Sequence, residues 1–109
     1  MNKPTDVMQG TLDLLILKAL SIEPMHAWGI GGRIQKMSRD VFRLGQGSLY
    51  PALHRFEERA WVVSHWHTTR NNRIARYYEL TSGGRHALAE EIAQWRSYAS
   101  AVGHVIDAE

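Results

Sequence analysis

The chain has 109 residues, 44% of them hydrophobic and 22% charged, which is the make-up of one small folded domain. It has no cysteine, so disulfides, thiolate metal sites and cysteine nucleophiles are excluded. The net charge of +2 is unevenly spread: residues 1–32 carry −1, residues 33–76 set nine Lys/Arg against three acids for +6, and residues 77–109 carry −3. A basic middle between acidic ends predicts one surface for a polyanion, the alternative being a solvated surface with chance clustering. No apolar run nears the roughly 18 residues that a membrane span needs. The polar start, Met1 to Asp6, lacks a secretory pattern, so the expected place is the cytoplasm.

Along the chain, Leu12, Leu15, Ile16, Ala19 and Leu20 recur on one face of a helix, and Leu14 and Leu17 add apolar surface off that face. A helix greasy on two sides needs a second thing to bury against. Glu23-Pro24 ends it. Residues 27–38 repeat the helical pattern with Ile30, Ile34 and Met37 in phase. Gly29, Gly31 and Gly32 within it predict close approach of another backbone. Their spacing is not that of a dinucleotide fingerprint. Next, Leu44 to Gly47 reads as a turn, Ser48 as an N-cap, and Pro51 as a first-turn residue. Leu49, Leu53, Phe56 and Ala60 set the inward face of this third helix. Tyr50, Pro51, His54, Arg55 and Glu58 then point outward.

Residues 61–69 and 74–81 read as strands around Arg70-Asn71-Asn72-Arg73, a hairpin with a basic tip. Thr81-Ser82 starts a last helix of about 25 residues. In it Leu88, Ile92, Trp95, Ala99, Val102 and Ile106 form a heptad seam. The predicted fold is therefore mainly α with a β-hairpin wing: a winged helix-turn-helix over residues 1–81 plus a long C-terminal dimerisation helix over residues 82–109. In such a fold the second helix of the unit enters the major groove of double-stranded DNA. Gln46, Ser48, Tyr50, Pro51, His54 and Arg55 on that helix, with Arg70, Asn71, Asn72, Arg73 and Arg76 on the wing, are the candidate DNA contacts.

The order of motifs is similar to that of the PadR family of bacterial transcriptional regulators. Gly47-Ser48-Leu49-Tyr50-Pro51-Ala52-Leu53-His54-Arg55-Phe56-Glu57 resembles its recognition-helix signature. Gln9 to Leu20, His26 to Ile30, and Arg76 to Thr81 with Gly84 resemble its first helix, its next segment and its wing end. Ala60 departs from the pattern, standing where glycine usually follows the recognition helix, and the Arg-Asn-Asn-Arg tip differs from the more common ones. The resemblance implies the short subfamily, a homodimer, a repressor role, inverted-repeat operators with ATGT-like half-sites and often a planar aromatic effector. No cofactor is implied.

The residues themselves support the dimer. Leu12, Leu88, Ile92, Trp95, Ala99, Val102 and Ile106 are the expected interface, because the seam has no partner of its length in the chain. A two-fold dimer favours a palindromic operator. Trp95 mid-seam is either a packing residue or, with Tyr98, Leu14 and Leu17, the lining of an effector pocket. His65 and His67 share a strand face, with His54 a conceivable third ligand, but no cysteine or paired carboxylate accompanies them, so no metal site is assigned. His26 reads as a structural hydrogen-bonder. Ser48 and His54 do not face each other, and Glu57-Glu58 and Glu90-Glu91 point apart, so no enzyme is expected. The competing readings are a winged-helix module for protein–protein contact, an effector-free DNA-binding regulator, and a ligand-binding dimer without DNA affinity.

Overall fold

A computed structural model describes residues 9–109, and residues 1–8 of the chain, with the reading of its polar start, lie outside that range. Helix α1 (Gln9–Ile22) is central. It packs against other helices and the sheet, so most of its apolar surface is buried within the chain. Ile16, Leu17, Ala19 and Leu20 are buried, and Leu12, Leu14 and Leu15 are half-buried against the same core. Leu17 is thus corrected from pocket lining to core: the second apolar side of α1 meets its own chain, not a surface cleft.

Strand β1 (Met25–His26) follows, then helix α2 (Ala27–Met37). The His26 ring caps α2, its Nδ1 accepting from the Gly29 N–H at 2.9 Å, as its structural reading anticipated. Ala27, Ile30 and Ile34 enter the core, whereas Met37 is exposed in the last turn, beyond the reach of the core. Gly31 shows the predicted close approach: a Cβ there would lie 3.1 Å from the Leu44 carbonyl oxygen. Gly32 faces open space instead.

Helix α3 (Gln46–Glu58) starts earlier than Ser48, with Gly45 as the N-cap in extended backbone. Ser48 is therefore the third helical residue and Pro51 the sixth. Pro51 removes a hydrogen bond to the Gly47 carbonyl, on a side of the helix that is exposed to solvent. Leu49, Ala52, Leu53 and Phe56 are at most 1% exposed and fix the inward face. Ala60 is not part of that face: it lies outside the helix, exposed, with φ 58°.

Strands β2 (Val62–Thr68) and β3 (Ile74–Leu80) pair antiparallel from Val62↔Leu80 to Thr68↔Ile74. The sheet has three strands rather than two, in the order β1-β3-β2, because Met25 and His26 pair with Tyr78 and Tyr77. A two-residue strand is too short to show any alternation in sequence.

Helix α4 (Ser82–Ile106) is capped by Thr81, whose hydroxyl accepts from the Gly84 N–H at 3.0 Å and donates to the Ala60 carbonyl at 2.6 Å. Gly84 has no room for a side chain, since a Cβ would collide with the Trp61 carbonyl oxygen. Ala87 and Leu88 are 8% exposed, packed into the chain's own core, and Ile92 is half-buried against it. Leu88 is accordingly corrected from dimer contact to core, because α1 covers the first turns of α4. Past Ile92 the helix leaves the body. The Cα radius of gyration is 15.2 Å and the molecule is 58 Å long, against about 13 Å expected for a compact chain of this length.

Candidate nucleic-acid interface

The polar residues between α2 and α3 form a rigid bend. Ser38 caps α2 and its Oγ accepts from the Phe42 N–H at 2.9 Å, while Arg39 and Asp40 take φ of 55° and 71°. Asp40 is held by Gln35 at 2.6 Å and Arg43 at 2.8 Å, and these two donors keep its carboxyl below the usual carboxylate range. The bend, together with the buried inward row of α3, sets which side of that helix meets solvent. Gln46, Ser48, Tyr50, Pro51 and His54 all lie on the exposed side. His54 Nε2 is 3.9 Å from the Glu58 carboxylate one turn on. The face is polar, with hydroxyl, amide and imidazole groups suited to phosphate oxygens and base edges.

Arg55 departs from its expected place. Its guanidinium turns back under α3 and donates to Asp13 Oδ1 on α1 at 2.6 Å, with only a quarter of its side chain exposed. Its Nε is buried with no hydrogen-bond partner. Arg55 is therefore an anchor between α1 and α3, not a free fork for guanine. Burial pushes the Asp13 carboxyl above the usual carboxylate range, against the lowering pull of Arg55 and Arg59. Sequence reasoning missed Asp13. A lone acid in the apolar run Leu12 to Leu17 was its one trace, since a buried charge requires a partner.

The wing is tied down at its base and free at its tip. Arg76 donates to Glu57 Oε2 of α3 and to Ser64 Oγ, both at 2.8 Å, and lies over the Tyr78 ring. Arg76, expected as a DNA contact, thus spends its charge on holding β3 against α3. The tip closes with Thr69 N–H donating to the Arg73 carbonyl at 2.6 Å and Asn72 N–H to the Thr69 carbonyl at 3.0 Å. Asn72 has φ 61°, the positive φ expected of the Asn-Asn pair. Arg70, Asn71, Asn72 and Arg73 are all exposed there.

The other sheet face carries His65, His67, Tyr77 and Glu79, which with Pro24 and Thr68 line an open hollow of about 340 Å³. His65 Nε2 stands 3.5 Å from Glu79 Oε1. Among the described residues no group of three His, Asp or Glu is placed to hold a metal ion, and no helix is long and apolar enough to cross a membrane.

This arrangement of helices, bend and wing matches a known family. The residue pattern of the transcriptional regulator PadR-like family covers residues 16–90. The chain belongs to the PadR family. Its members are DNA-binding transcriptional regulators, not enzymes. Over 57 residues, 52% of each chain, it is 40% identical to the transcriptional regulator Rv3488 of Mycobacterium tuberculosis. A PadR family regulator from Eggerthella lenta superposes with a TM-score of 0.76 at 26% identity, over 93% of this chain and 86% of that one. A PadR-like regulator from Bacillus cereus shares the fold, with a TM-score of 0.79 at 22% identity over 93% and 96% of the two chains.

The distal half of α4 in this PadR chain presents an apolar stripe to solvent. Trp95 is 45% exposed, Tyr98 57%, Val102 39% and Ile106 73%, and Ala99 is exposed between them. The Trp95 and Tyr98 rings lie 6.2 Å apart, tilted by 33°. Leu14 of α1 is half-buried and Leu12 packs on the core, so each offers only part of its surface.

Proposed function

We propose that the protein is a homodimeric repressor that reads a palindromic operator through α3 and the wing tip. Residues 1–81 are the reading unit and residues 82–109 the dimerisation helix, and a DNA partner puts the protein in the cytoplasm. The observation that carries this reading is the exposed polar face of α3 beside a basic hairpin tip, with no acidic side chain among the exposed residues 70–73. On α3 the reading groups are Gln46, Ser48, Tyr50, Pro51 and His54. On the wing, Arg70, Asn71, Asn72 and Arg73 contact phosphates.

The uncovered stripe of α4 supports the dimer. A helix end with no tertiary packing is marginal in water, yet here it carries Trp95, Val102 and Ile106. Pairing two such helices buries Trp95, Ala99, Val102 and Ile106, with the outer part of Ile92 and Leu12 at the margin. It would also hold two α3 helices one DNA turn, roughly 34 Å, apart. Trp95 and Tyr98 present ring faces to a planar aromatic effector at that interface, with the open side of Leu14 beside them.

The test is binding to a duplex selected from a randomised pool, measured against salt. Each neutralised phosphate contributes about −0.9 to the slope of log K on log salt. Replacing Arg70 and Arg73 by Ala should flatten the slope on every sequence, while Tyr50→Ala should relax sequence preference. Salt-independent binding, or none, defeats the reading. For the effector, quenching of tryptophan emission by planar aromatics should vanish in Trp95→Ala.

A further inference from the structure

Two large apolar side chains on the wing are used by neither the core nor the hairpin fold. Side chains alternate along a strand, so Val62, Ser64, Trp66 and Thr68 share one face with Leu80, Tyr78, Arg76 and Ile74 opposite them. At the base of this face Val62, Tyr78 and Leu80 are core. In its middle Ser64 and Arg76 close on Glu57 of α3. Farther out it should turn polar, because no helix covers it. Instead it ends in Trp66, 70% exposed, and Ile74, 72% exposed, diagonal to each other across the strand pair. The patch lies between the α3 contact and the Arg70/Arg73 tip.

We propose that Trp66 and Ile74 are an apolar DNA contact, seated on the deoxyribose rings and base edges of the minor groove next to the half-site. This rests on the reading of α3 and the wing tip as the DNA-binding surface. Charge selects the occupant. Arg70 and Arg73 stand at the tip beyond the patch, and at its base Arg76 and Glu57 neutralise each other. A second copy docking there would bring its own arginine tip against this one. A duplex brings phosphates to the arginines and apolar sugar faces to the rings. Apolar wedges of this kind unstack base steps, and pyrimidine–purine steps yield most easily. The pair therefore adds sequence preference at flanking steps that α3 does not touch.

The experiment uses the full chain labelled with 5-fluorotryptophan. The protein has four tryptophans, and Trp66→Phe assigns the Trp66 fluorine resonance. On titration with the selected duplex the Trp66 resonance should shift, and that of Trp61, packed on Phe56, should not. Trp66→Ala should weaken binding by roughly ten- to a hundredfold with the salt slope unchanged, and Trp66→Phe should recover most of the loss. Both variants change an exposed side chain, so far-ultraviolet circular dichroism should match the unaltered protein. A duplex that binds, loses affinity on Tyr50→Ala and leaves the Trp66 resonance still overturns this inference alone. A resonance that moves with protein concentration instead of DNA overturns it in favour of a second copy. If no duplex binds at all, this inference falls together with the reading beneath it.

Discussion

Replacing Asp13 by Ala should destabilise the fold severely for a single truncation on the edge of a core. The carboxylate, 6% exposed, is the one buried charged residue, among those described, and it meets Arg55 at 2.6 Å. Two unit charges about 4 Å apart attract by about 4 kcal/mol at an effective dielectric of 20. Desolvation of the carboxylate outweighs that attraction, which is why burial leaves the Asp13 carboxyl above its ordinary range despite the guanidinium. Truncation is different: it strands Arg55, whose Nε already lacks a partner. The expected cost is about 2–4 kcal/mol, read as a lower urea midpoint at unchanged slope. The double variant Asp13→Leu, Arg55→Met should recover at least half of it. The sign with pH follows from the raised carboxyl. The folded chain holds that proton more tightly than the unfolded one, so the contribution is full below the unfolded carboxylate pKa and is lost as pH rises through the folded value. The unaltered protein should therefore gain stability relative to Asp13→Asn as pH falls from 7 towards 4. A loss under about 0.5 kcal/mol for Asp13→Ala, with the double variant no better than the single, would refute the anchor.

Gly84→Ala should cost about 1–3 kcal/mol or more, since its Cβ collides with backbone, the Trp61 carbonyl, not with a side chain that can swing away; thermal melting reads it. Ala60→Gly should stabilise by up to about 1 kcal/mol, because φ 58° strains any residue with a Cβ and the gain exceeds the added freedom of the unfolded chain. Val102→Glu with Ile106→Glu should lower the sedimenting mass at micromolar concentration while leaving the monomer's core intact, both side chains being exposed. Unchanged mass in that pair would remove the α4 seam from any self-association.

Long-period features were legible in the sequence, and local ones were not. The α3 core row, except Ala60, and the 25-residue α4 follow from spacing, and the hairpin from its turn residues. Leu17 was misplaced because periodicity reports how many faces of a helix are apolar, not what covers them. Arg55 was misplaced for a related reason. Outward on a helical wheel includes the flank, and a long side chain on the flank reaches back to a buried acid 42 positions earlier. The start of α3 was set late because Ser48 is a good N-cap by type, while Gly45 caps by backbone shape alone. Asp13, Glu57 and Trp66 were passed over because their roles depend on partners or on uncovered space, which no single-sequence pattern contains.

The anchor also lies where several helices meet. Helix α1 packs on α4, whose Ala87 and Leu88 are buried, shares the core with α3, and is bonded to it from Asp13 to Arg55. Arg33 of α2 reaches the Ala19 carbonyl of α1 at 2.8 Å, so the second helix is tied to the same element. Glu91 of α4 feels the same charges: burial first, then Asp13 and Glu90, raise its carboxyl, while Arg59, the C-cap residue of α3, lowers it. A packed core resists continuous deformation, and the Asp13–Arg55 bond adds a fixed point between α1 and α3 within it.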